Sequence, residues 1–462
     1  MTARLALIGL AAAVAAASGL AAGAPDARLV DAIRSHDLAK ARGFIAEGVF
    51  VNALDAQSAS ALHWAAHAND LEAVRLLLQA GADPNLANRF GVTPLHEAAT
   101  VANSEMLTAM LDAGGNANAA FGAGETVLMT AARSGDAASV AALLAHGGKV
   151  DATESWHGQT ALMWAAMENH ADVVELLLKA GAKVNRASTK HDWVKISYSQ
   201  GNVPKARDVG GLTALQFAAR QGSVAAADKL LEAGADANAV EPMYQLSSLQ
   251  LAIVNGHYTL AKKLIDRGVK VDDGSLYLAI DTRNLGYYAQ RPNPPEKDGK
   301  VSNLDVITAL LDHGANADAP YTKGIPERTV AGEIEVPKGA TPLDRAAAAG
   351  DFAVVELLVE KGANPSVAAE DGTTPLMLLA GYTRQKFGAP PVTGDPKRLA
   401  AIRALARKRV DLDAAQKDSG NTALHFAALR KAPDIVALLK ELGAVERANA
   451  AGKTPSDLMR GS

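Results

Sequence analysis

The sequence predicts an all-α repeat fold of about eleven helix pairs joined by hairpins, and three observations support this prediction. A glycine follows a leucine-rich stretch at steps of 33 residues, at Gly48, Gly81, Gly114 and Gly147. A Thr or Ser followed by an apolar helical stretch recurs about 12 residues after each glycine. Hydrophobic residues make up 48% of the 462 positions but aromatic residues only 4%, so Ala, Leu and Val must form the core. A fixed period of this length is typical of stacked repeats.

The first 24 residues differ from the repeats. Arg4 precedes an uncharged run from Leu5 to Ala24 that is rich in small residues. This order is typical of a secretory signal peptide, so we predict residues 1–24 as the signal and a periplasmic or secreted protein. The alternative is an uncleaved segment that anchors the protein, although no basic stop-transfer segment follows. Pro25 leaves the cleavage site open, and the absence of cysteine excludes disulfides and a thiol nucleophile.

The first helix of each repeat is predicted to begin at a Thr or Ser. Thr and Ser are favoured N-caps, and Pro is tolerated in the first turn because its missing N–H has no helical partner there. Leu and a pair of Ala residues follow at helical spacing, which predicts an apolar face for neighbouring helices. The motifs are SALHWAA from Ser60, TPLHEAA from Thr93, TVLMTAA from Thr126, TALMWAA from Thr160, TALQFAA from Thr213, TPLDRAA from Thr341 and TALHFAA from Thr422.

The second helix of each repeat is predicted to end at the recurring glycine. Helices commonly end with a left-handed residue, a conformation that Gly adopts without steric cost. Arg409 stands where another glycine is expected, so we expect that helix end to be distorted or differently capped. The glycines are Gly48, Gly81, Gly114, Gly147, Gly181, Gly234, Gly268, Gly314, Gly362 and Gly443.

These motifs resemble the ankyrin repeat, whose signature is Thr-Pro-Leu-His at the start of its first helix and Gly-Ala-Asp-x-Asn after its second. The resemblance covers nearly everything from Asp26 to Ser462 and identifies the chain as an ankyrin solenoid, which we expect to be exported and bacterial. In that family the helix pairs stack into a curved array, and the hairpins and first helices line a concave binding face. The resemblance therefore implies a protein-binding module that needs no cofactor and performs no catalysis.

Two arms are predicted, comprising residues 25–273 and 274–462. Between Ser247 and Gly274 the repeat offset shrinks to 27 residues, because VDDGSLYLAI leads from one helix end almost directly into the next helix. A hairpin is missing there, so we expect the curvature of the array to change near Asp272.

The histidines are the best argument for an enzyme, and alignment of the repeats accounts for eight of the eleven. His67, His157 and His191 remain unassigned. His63 and His67 have the spacing of a metal pair, but no third ligand accompanies them, so we predict no metal site and no catalytic residue. The others hold the signature position (His63, His96, His425), open the second helix (His36, His170, His257) or precede its terminal glycine (His146, His313).

Large aromatic residues recur at one position of the first helix, namely Trp64, Trp164, Phe217 and Phe426. We assign them to the core, because large apolar side chains on a periodic helix face are usually buried. The alternative is an aromatic binding stripe.

Candidate partner-binding residues are the variable positions of the predicted concave side. Aromatic, Met and Arg side chains are enriched in protein interfaces, although such residues can also be ordinary surface positions. The candidates are Arg89 and Phe90 in one hairpin, Trp156 and His157 in another, and Arg133, Met167, Arg220 and Gln221 on first helices.

Four insertions interrupt the repeats, and they carry aromatic side chains and an excess of Lys and Arg. Long loops of this content are candidate contact surfaces, so Trp193 and Tyr198 in the first insertion join the candidates. Two insertions extend hairpins and two interrupt the turn between a repeat's helices, which predicts that they emerge on opposite rims. The insertions run from about Ser188 to Val209, Asp281 to Lys300, Tyr321 to Gly339 and Gly381 to Lys397.

Three functions stay open at this point. The first is an exported, monomeric scaffold that binds another protein through its concave face and inserted loops, with no membrane span after signal cleavage. The second is a regulatory or substrate-recruiting arm for an enzyme, because ankyrin arrays are often attached to catalytic domains. The third is binding of a glycan or polyanion through Trp193, Tyr198 and nearby basic residues. The small net charge of -4 argues against a surface dominated by nucleic-acid binding.

Overall fold

The computed structural model describes residues 27–190, 210–271, 274–284, 297–322, 336–383 and 392–460. The chain divides into two compact units, residues 1–152 and 153–462. The boundary predicted between two arms at 273/274 falls inside the second unit, and that division stays a prediction. Five predicted features lie outside the described residues: the signal segment 1–24, His191, Trp193, Tyr198 and Asp272.

The first unit contains four helix pairs in its described residues. They are α1 (Arg28–Arg34) and α2 (Leu38–Ala46), α3 (Ala61–His67) and α4 (Leu71–Gln79), α5 (Pro94–Thr100) and α6 (Ser104–Asp112), and α7 (Val127–Ser134) and α8 (Ala137–Ala145). The first helices α1, α3, α5 and α7 pack on one another in sequence, and each packs on its own second helix. A short antiparallel hairpin, β1 (Ala120–Phe121) and β2 (Glu125–Thr126), leads into α7 and places Ala120 opposite Thr126.

The second unit contains seven helix pairs and a final single helix in its described residues. They are α9 (Ala161–Met167), α10 (Ala171–Lys179), α11 (Ala214–Gln221), α12 (Val224–Glu232), α13 (Ser248–Val254), α14 (Tyr258–Asp266), α15 (Ser275–Arg283), α16 (Asn303–Asp312), α17 (Pro342–Ala349), α18 (Phe352–Glu360), α19 (Pro375–Leu379), α20 (Pro396–Arg407), α21 (Ala423–Leu429), α22 (Pro433–Glu441) and α23 (Pro455–Arg460). The odd-numbered helices again pack in sequence. Between α15 and α16, β3 (Lys297–Asp298) pairs with β4 (Val301–Ser302), with Lys297 opposite Ser302.

Eleven helix pairs in the described residues confirm the predicted all-α repeat fold. The predicted caps are present: the Thr126 hydroxyl accepts from the Met129 N–H (3.2 Å) and the Thr341 hydroxyl from the Asp344 N–H (3.2 Å). The ten predicted glycines all have positive φ, for example 86° at Gly81 and 90° at Gly181. The core consists mainly of Ala, Leu and Val from both helices of each pair.

None of the helices in the described ranges is long and apolar enough to cross a membrane.

The connection between α14 and α15 is short, as the sequence predicted. Eight residues separate α14 from α15, compared with fourteen between α4 and α5. The space is used by Tyr321, whose ring stacks on Tyr277 with centroids 5.2 Å apart. A Cβ on Gly274 would lie 2.7 Å from the Tyr321 ring, and Gly274 has φ 95°, so only glycine fits there.

Two insertion boundaries need correction. Helix α15 extends to Arg283, so Asp281 is helical and buried instead of opening the second insertion. Helix α20 begins at Pro396, within the range predicted for the fourth insertion. Helix α15 packs against the first helix α17, and helix α20 packs against the second helix α18.

The expectation of a different helix end at Arg409 is wrong. Arg409 has φ 60°, and its N–H donates to the Ala406 carbonyl (2.9 Å), so it takes the left-handed conformation that glycine takes elsewhere. An exposed arginine therefore occupies a backbone conformation that costs a side chain roughly 1–2 kcal/mol.

Replacing Arg409 by glycine is expected to stabilise the protein by about 0.5–1 kcal/mol, because relief of the left-handed strain exceeds the entropy that glycine adds to the unfolded chain. Arg407→Gly is the matched control, because this exposed residue is the last of α20, where glycine relieves no left-handed strain and costs up to about 1 kcal/mol. Urea unfolding followed by circular dichroism measures both changes. Destabilisation by both variants would contradict the expected relief.

Candidate partner-binding surface

One hairpin of the first unit holds an aromatic side chain in solvent. The Asn88 side-chain oxygen accepts from the N–H groups of Phe90 (2.9 Å) and Val92 (3.1 Å), which forms the turn. Phe90 at the tip is 63% exposed. The Arg89 guanidinium lies 4.7 Å from the centre of the Phe90 ring. These two candidates therefore form one exposed cation–π pair.

The first hairpin of the second unit is organised by a buried carboxylate. Glu154 accepts from the N–H groups of Trp156 (2.6 Å), His157 (2.9 Å) and Gln159 (2.8 Å). Trp156 is 61% exposed, and its ring stacks on His157 with centroids 5.8 Å apart. Because backbone donors occupy the carboxylate, the turn is fixed and the indole projects outward.

The candidates on first helices differ in exposure. Arg133 is exposed and pairs with Glu125 at 3.2 Å. Met167 is half-buried at the end of α9, whereas Gln221 is exposed at the end of α11. Arg220 is half-buried with its guanidinium 5.1 Å from the centre of the Phe217 ring.

The two units share the candidates unequally. Arg89, Phe90 and Arg133 belong to the first unit. The larger group, all in the second unit, comprises Trp156, His157, Met167, Arg220 and Gln221.

The core assignment of the recurring aromatic residues is half right. Phe217 and Phe426 are buried, with 1% and 6% of their surface exposed. Trp64 and Trp164 are half-buried, so the assignment is wrong for them. The indole N–H of Trp64 needs a hydrogen-bond acceptor. It donates to Asp55 Oδ2 (2.9 Å) near the surface, which keeps part of the ring exposed.

Asp55 links that tryptophan to the first hairpin. Its carboxylate accepts from the N–H groups of Gln57 (2.8 Å) and Ala59 (2.9 Å) as well as from the indole of Trp64. Burial raises the pKa of Asp55, but these hydrogen bonds outweigh burial and hold the pKa below its ordinary value. The Arg34 guanidinium covers the Trp64 ring at 4.6 Å. Trp64 is therefore connected to the hairpin through Asp55 and to the preceding repeat through Arg34.

The signature histidines connect successive repeats. His63 Nδ1 lies 2.9 Å from the Ser60 hydroxyl, and its Nε2 lies 3.0 Å from the Val92 carbonyl oxygen of the next hairpin. Burial lowers the pKa of His63, and it lowers the pKa of His96 to about 4. Both rings are therefore neutral near pH 7 and serve as hydrogen-bonding groups of the framework.

His63 and His67 do not converge as a metal pair would. The His63 ring is engaged within the framework, whereas His67 is exposed and its Nδ1 lies 3.0 Å from Glu97 Oε2. Across the described ranges, no group of three or more His, Cys, Asp or Glu residues is arranged to hold a metal ion.

The sequence reasoning missed a polar cluster in the second unit. Arg345 Nε donates to Asp281 Oδ1 (2.7 Å), and both side chains are buried. Beside them, Asp344 is fully buried, and burial raises its pKa to about 7. The available signal was a mismatch within the motif TPLDRAA, which carries Asp where the other six motifs have His, Met or Gln, and Arg where four of them have an aromatic residue.

A second hairpin carboxylate was also missed. Glu241 is buried and accepts from the N–H groups of Met243 (2.6 Å), Tyr244 (2.8 Å) and Leu246 (3.1 Å), as Glu154 does in its own hairpin. Met243 therefore corresponds to Trp156, and it is 39% exposed. The signal was the repeated Glu six residues before the helix cap.

Comparison with known proteins agrees with the repeat geometry. A family model described as ankyrin repeats (3 copies) matches residues 95–188, 187–274 and 343–450, together more than half of the chain. A second model, ankyrin repeats (many copies), matches residues 62–111.

Two animal proteins are similar to parts of the chain. The "Ankyrin repeat and SAM domain-containing protein 6" of Danio rerio is 32% identical over 178 residues, which are 36% of this chain and 23% of that protein. The "Ankyrin repeat and KH domain-containing protein mask-1" of Caenorhabditis elegans is 30% identical over 226 residues, 43% of this chain and 8% of that protein. The chain thus spans less than a quarter of either relative, and the bacterial origin stays a prediction.

Proposed function

Because the chain belongs to the ankyrin-repeat family, we propose that it is an exported, monomeric scaffold that binds a partner protein through its first helices, hairpins and inserted loops, without catalysis. Ankyrin repeats typically mediate protein–protein interaction, and the two relatives are ankyrin-repeat proteins. The export part of the proposal rests on the uncharged run from Leu5 to Ala24.

The observation that supports binding most directly is the exposure of large aromatic side chains at hairpin tips. Phe90 and Trp156 are 63% and 61% exposed, although each sits on a turn fixed by hydrogen bonds to a side-chain oxygen. A fixed, exposed aromatic side chain offers contact area with little entropy to lose on binding. The ring of His63, by contrast, is engaged in hydrogen bonds within the framework.

Alanine substitution of Phe90, Trp156 and Met167 together is expected to weaken partner capture at least tenfold while leaving the fold intact, because these side chains supply contact area and little packing. Crosslinking in cells followed by mass spectrometry identifies the partner and the compartment, and circular dichroism reports the fold. Deletion of residues 188–209 tests the inserted loops separately. If the triple variant captures the partner as well as the wild type does and the deletion abolishes capture, the inserted loop binds the partner and the three side chains do not.

A further inference from the structure

Three consecutive cations lie in solvent at the end of α20. Arg407 is the last residue of the helix, Lys408 is its C-cap, and Arg409 follows in the left-handed conformation. All three residues are exposed, and within the described ranges none of their side chains makes an ion pair, a hydrogen bond or a ring contact. Consecutive Cα atoms lie about 3.8 Å apart, so these side chains start within about 8 Å of one another and form one site, which we call the basic cluster.

On the other second helices, by contrast, the framework neutralises its own cations. Each lysine and arginine of those helices and of their C-cap residues forms an ion pair with a carboxylate of the same or a neighbouring repeat. These residues are Lys40, Arg42, Arg75, Lys179, Lys229, Lys262, Lys263, Arg267, Lys361 and Lys440. Arg403 of α20 pairs likewise with Glu441, at 2.9 and 3.1 Å. The basic cluster is therefore an excess of positive charge that the repeat framework does not balance.

Folding does not require the side chain of Arg409. At the same position after the ten other second helices the chain has glycine, with φ 97° at Gly362 and 105° at Gly443 in the adjoining repeats. The helix dipole accounts for Arg407 and Lys408, because cations are favoured in the last turn of a helix. It does not account for Arg409, since the cost of a left-handed side chain exceeds the gain from one such cation. Strained backbone of this kind is concentrated at functional sites, which indicates a role for Arg409 in binding.

Exposed carboxylates limit the width of the basic cluster. Helix α20 packs against α18, and Glu360 of α18 occupies the position that Arg407 occupies in α20. Glu441 of α22 occupies the same position in the following repeat. Both glutamates are exposed, as is Asp411 two residues after Arg409. Because packed helices lie about 8–10 Å apart, an anion that contacts all three cations must be narrow to avoid these carboxylates.

The basic cluster lies within a continuously described part of the chain, residues 392–460. The nearest residues in sequence outside the described ranges, 384–391, connect to the other end of α20. That helix has twelve residues and is about 18 Å long. The charges that adjoin the cluster on α18, α20 and α22 therefore all belong to described residues.

We propose that the basic cluster binds an acidic segment of a partner protein. Carboxylates of that segment pair with the guanidinium groups of Arg407 and Arg409 and with the ammonium group of Lys408. Arginine suits this contact because its planar guanidinium can donate two parallel hydrogen bonds to one carboxylate. The cluster lies outside the first helices, hairpins and inserted loops of the proposed scaffold function, so it adds a second contact surface and does not depend on the first.

An acidic segment fits the basic cluster better than a lipid surface or a nucleic acid does. Duplex DNA carries one charge per about 1.7 Å, and an anionic membrane surface is continuous, so either ligand would also approach Glu360 and Glu441. Sites for single-stranded nucleic acid add aromatic side chains on which bases stack, and residues 396–421 contain none. A polypeptide segment can place a few carboxylates on the three cations and uncharged residues beside the two glutamates.

Peptide selection with depletion tests the proposal directly. A phage-displayed library of random dodecapeptides is depleted on the double variant Arg407→Gln with Lys408→Gln and is then selected on the full-length wild-type chain. The expected consensus contains several Asp or Glu residues. A fluorescein-labelled consensus peptide then gives dissociation constants by fluorescence anisotropy, and circular dichroism verifies that each variant is folded.

The variants separate the basic cluster from general effects of charge. Arg407→Gln with Lys408→Gln should weaken peptide binding about tenfold, since it removes two cations that face the bound carboxylates. Lys149→Gln with Lys270→Gln is the matched control, because it makes the same change in net charge at two exposed lysines of other repeats, and it should leave binding within about twofold. Arg409→Gly should weaken binding severalfold although it stabilises the fold, a combination that a purely structural residue would not produce.

Four results would overturn the proposal: no acidic consensus, equal weakening by both double variants, unchanged binding by Arg409→Gly, or preference for another anion. For the last, phosphatidylglycerol vesicles and oligo(dT) compete with the labelled peptide. Displacement by either at a lower concentration than the unlabelled peptide would assign the cluster to lipid or nucleic acid. The scaffold function is judged separately, by crosslinked partners and the triple alanine variant described above. If that variant loses its partner while the cluster variants bind the peptide as the wild type does, only the basic-cluster proposal fails.

Discussion

Replacing Arg345 by alanine is expected to lower the free energy of unfolding by about 3–5 kcal/mol, because it leaves the carboxylate of Asp281 buried without its partner. The two side chains are 3% and 8% exposed, and the Arg345 Nε to Asp281 Oδ1 distance is 2.7 Å. The pair joins the first helices of neighbouring repeats, α15 and α17. Its loss should therefore weaken the coupling between those repeats, and denaturant unfolding followed by circular dichroism measures the change.

Two controls separate the effect of an unpaired buried charge on stability from the effect of lost side-chain packing. The double variant Asp281→Leu with Arg345→Met removes both charges and should recover most of the stability, since a buried ion pair is often replaceable by apolar residues of similar volume. Arg283→Ala breaks a neighbouring pair with Asp351 (2.8 Å) in which Arg283 is 24% exposed, so its effect should be smaller. If Arg345→Ala costs less than Arg283→Ala, the buried pair is not the stronger coupling.

Replacing Asp344 by asparagine is expected to change how stability depends on pH by about 4 kcal/mol. Burial raises the pKa of Asp344 from 3.8 to about 7, and each pKa unit corresponds to about 1.4 kcal/mol. The folded state therefore binds this proton more tightly than the unfolded state does. Wild-type stability should fall, relative to Asp344→Asn, as the pH rises from about 4 to about 7, and the difference should level off above that range.

Asp305 is the matched control, because it occupies the same position relative to its helix cap but is exposed. Ser302 donates to Asp305 through its N–H (2.8 Å) and hydroxyl (2.7 Å), as Thr341 does to Asp344 (2.8 and 2.9 Å). The hydrogen bonds from Ser302 hold the pKa of Asp305 below its ordinary value, so its stabilisation is lost as the pH falls through the folded pKa. Asp305→Asn should thus change the acid side of the profile in the opposite direction. Parallel pH profiles for the two variants would contradict the role assigned to burial.

Asp344 and Asp305 differ in burial, and the sequence did not predict this difference. Both follow a Thr or Ser cap by three residues, but Asp344 lies on the first helix of its repeat, α17, and Asp305 lies on a second helix, α16. Asp344 is covered by neighbouring repeats, whereas Asp305 follows an insertion and remains exposed. The same residue type in the same motif thus has opposite pKa shifts, since burial depends on which side chains the next repeat supplies.

Other differences have the same origin. The core assignment held for Phe217 but not for Trp64, because the indole N–H of Trp64 needs an acceptor and finds it in Asp55 near the surface. Arg409 takes the left-handed conformation despite its side chain, with φ 60° and its N–H donated to the Ala406 carbonyl. The sequence did not single out Met243, because its hairpin, EPMYQLS, shares with that of Trp156, ESWHGQT, only the organising Glu and a Thr or Ser at the cap.

The sequence by itself determined the repeat length, the two-helix unit, the caps and the left-handed glycines. These features follow from interactions within about thirty residues, and each repeat contains the residues that produce them. Only the tertiary structure decided which side chains are buried, which carboxylates are occupied by backbone donors, and which hairpin tips adjoin. Those properties depend on surfaces contributed by different repeats, and the free energy of burial is set by the neighbour that each side chain meets.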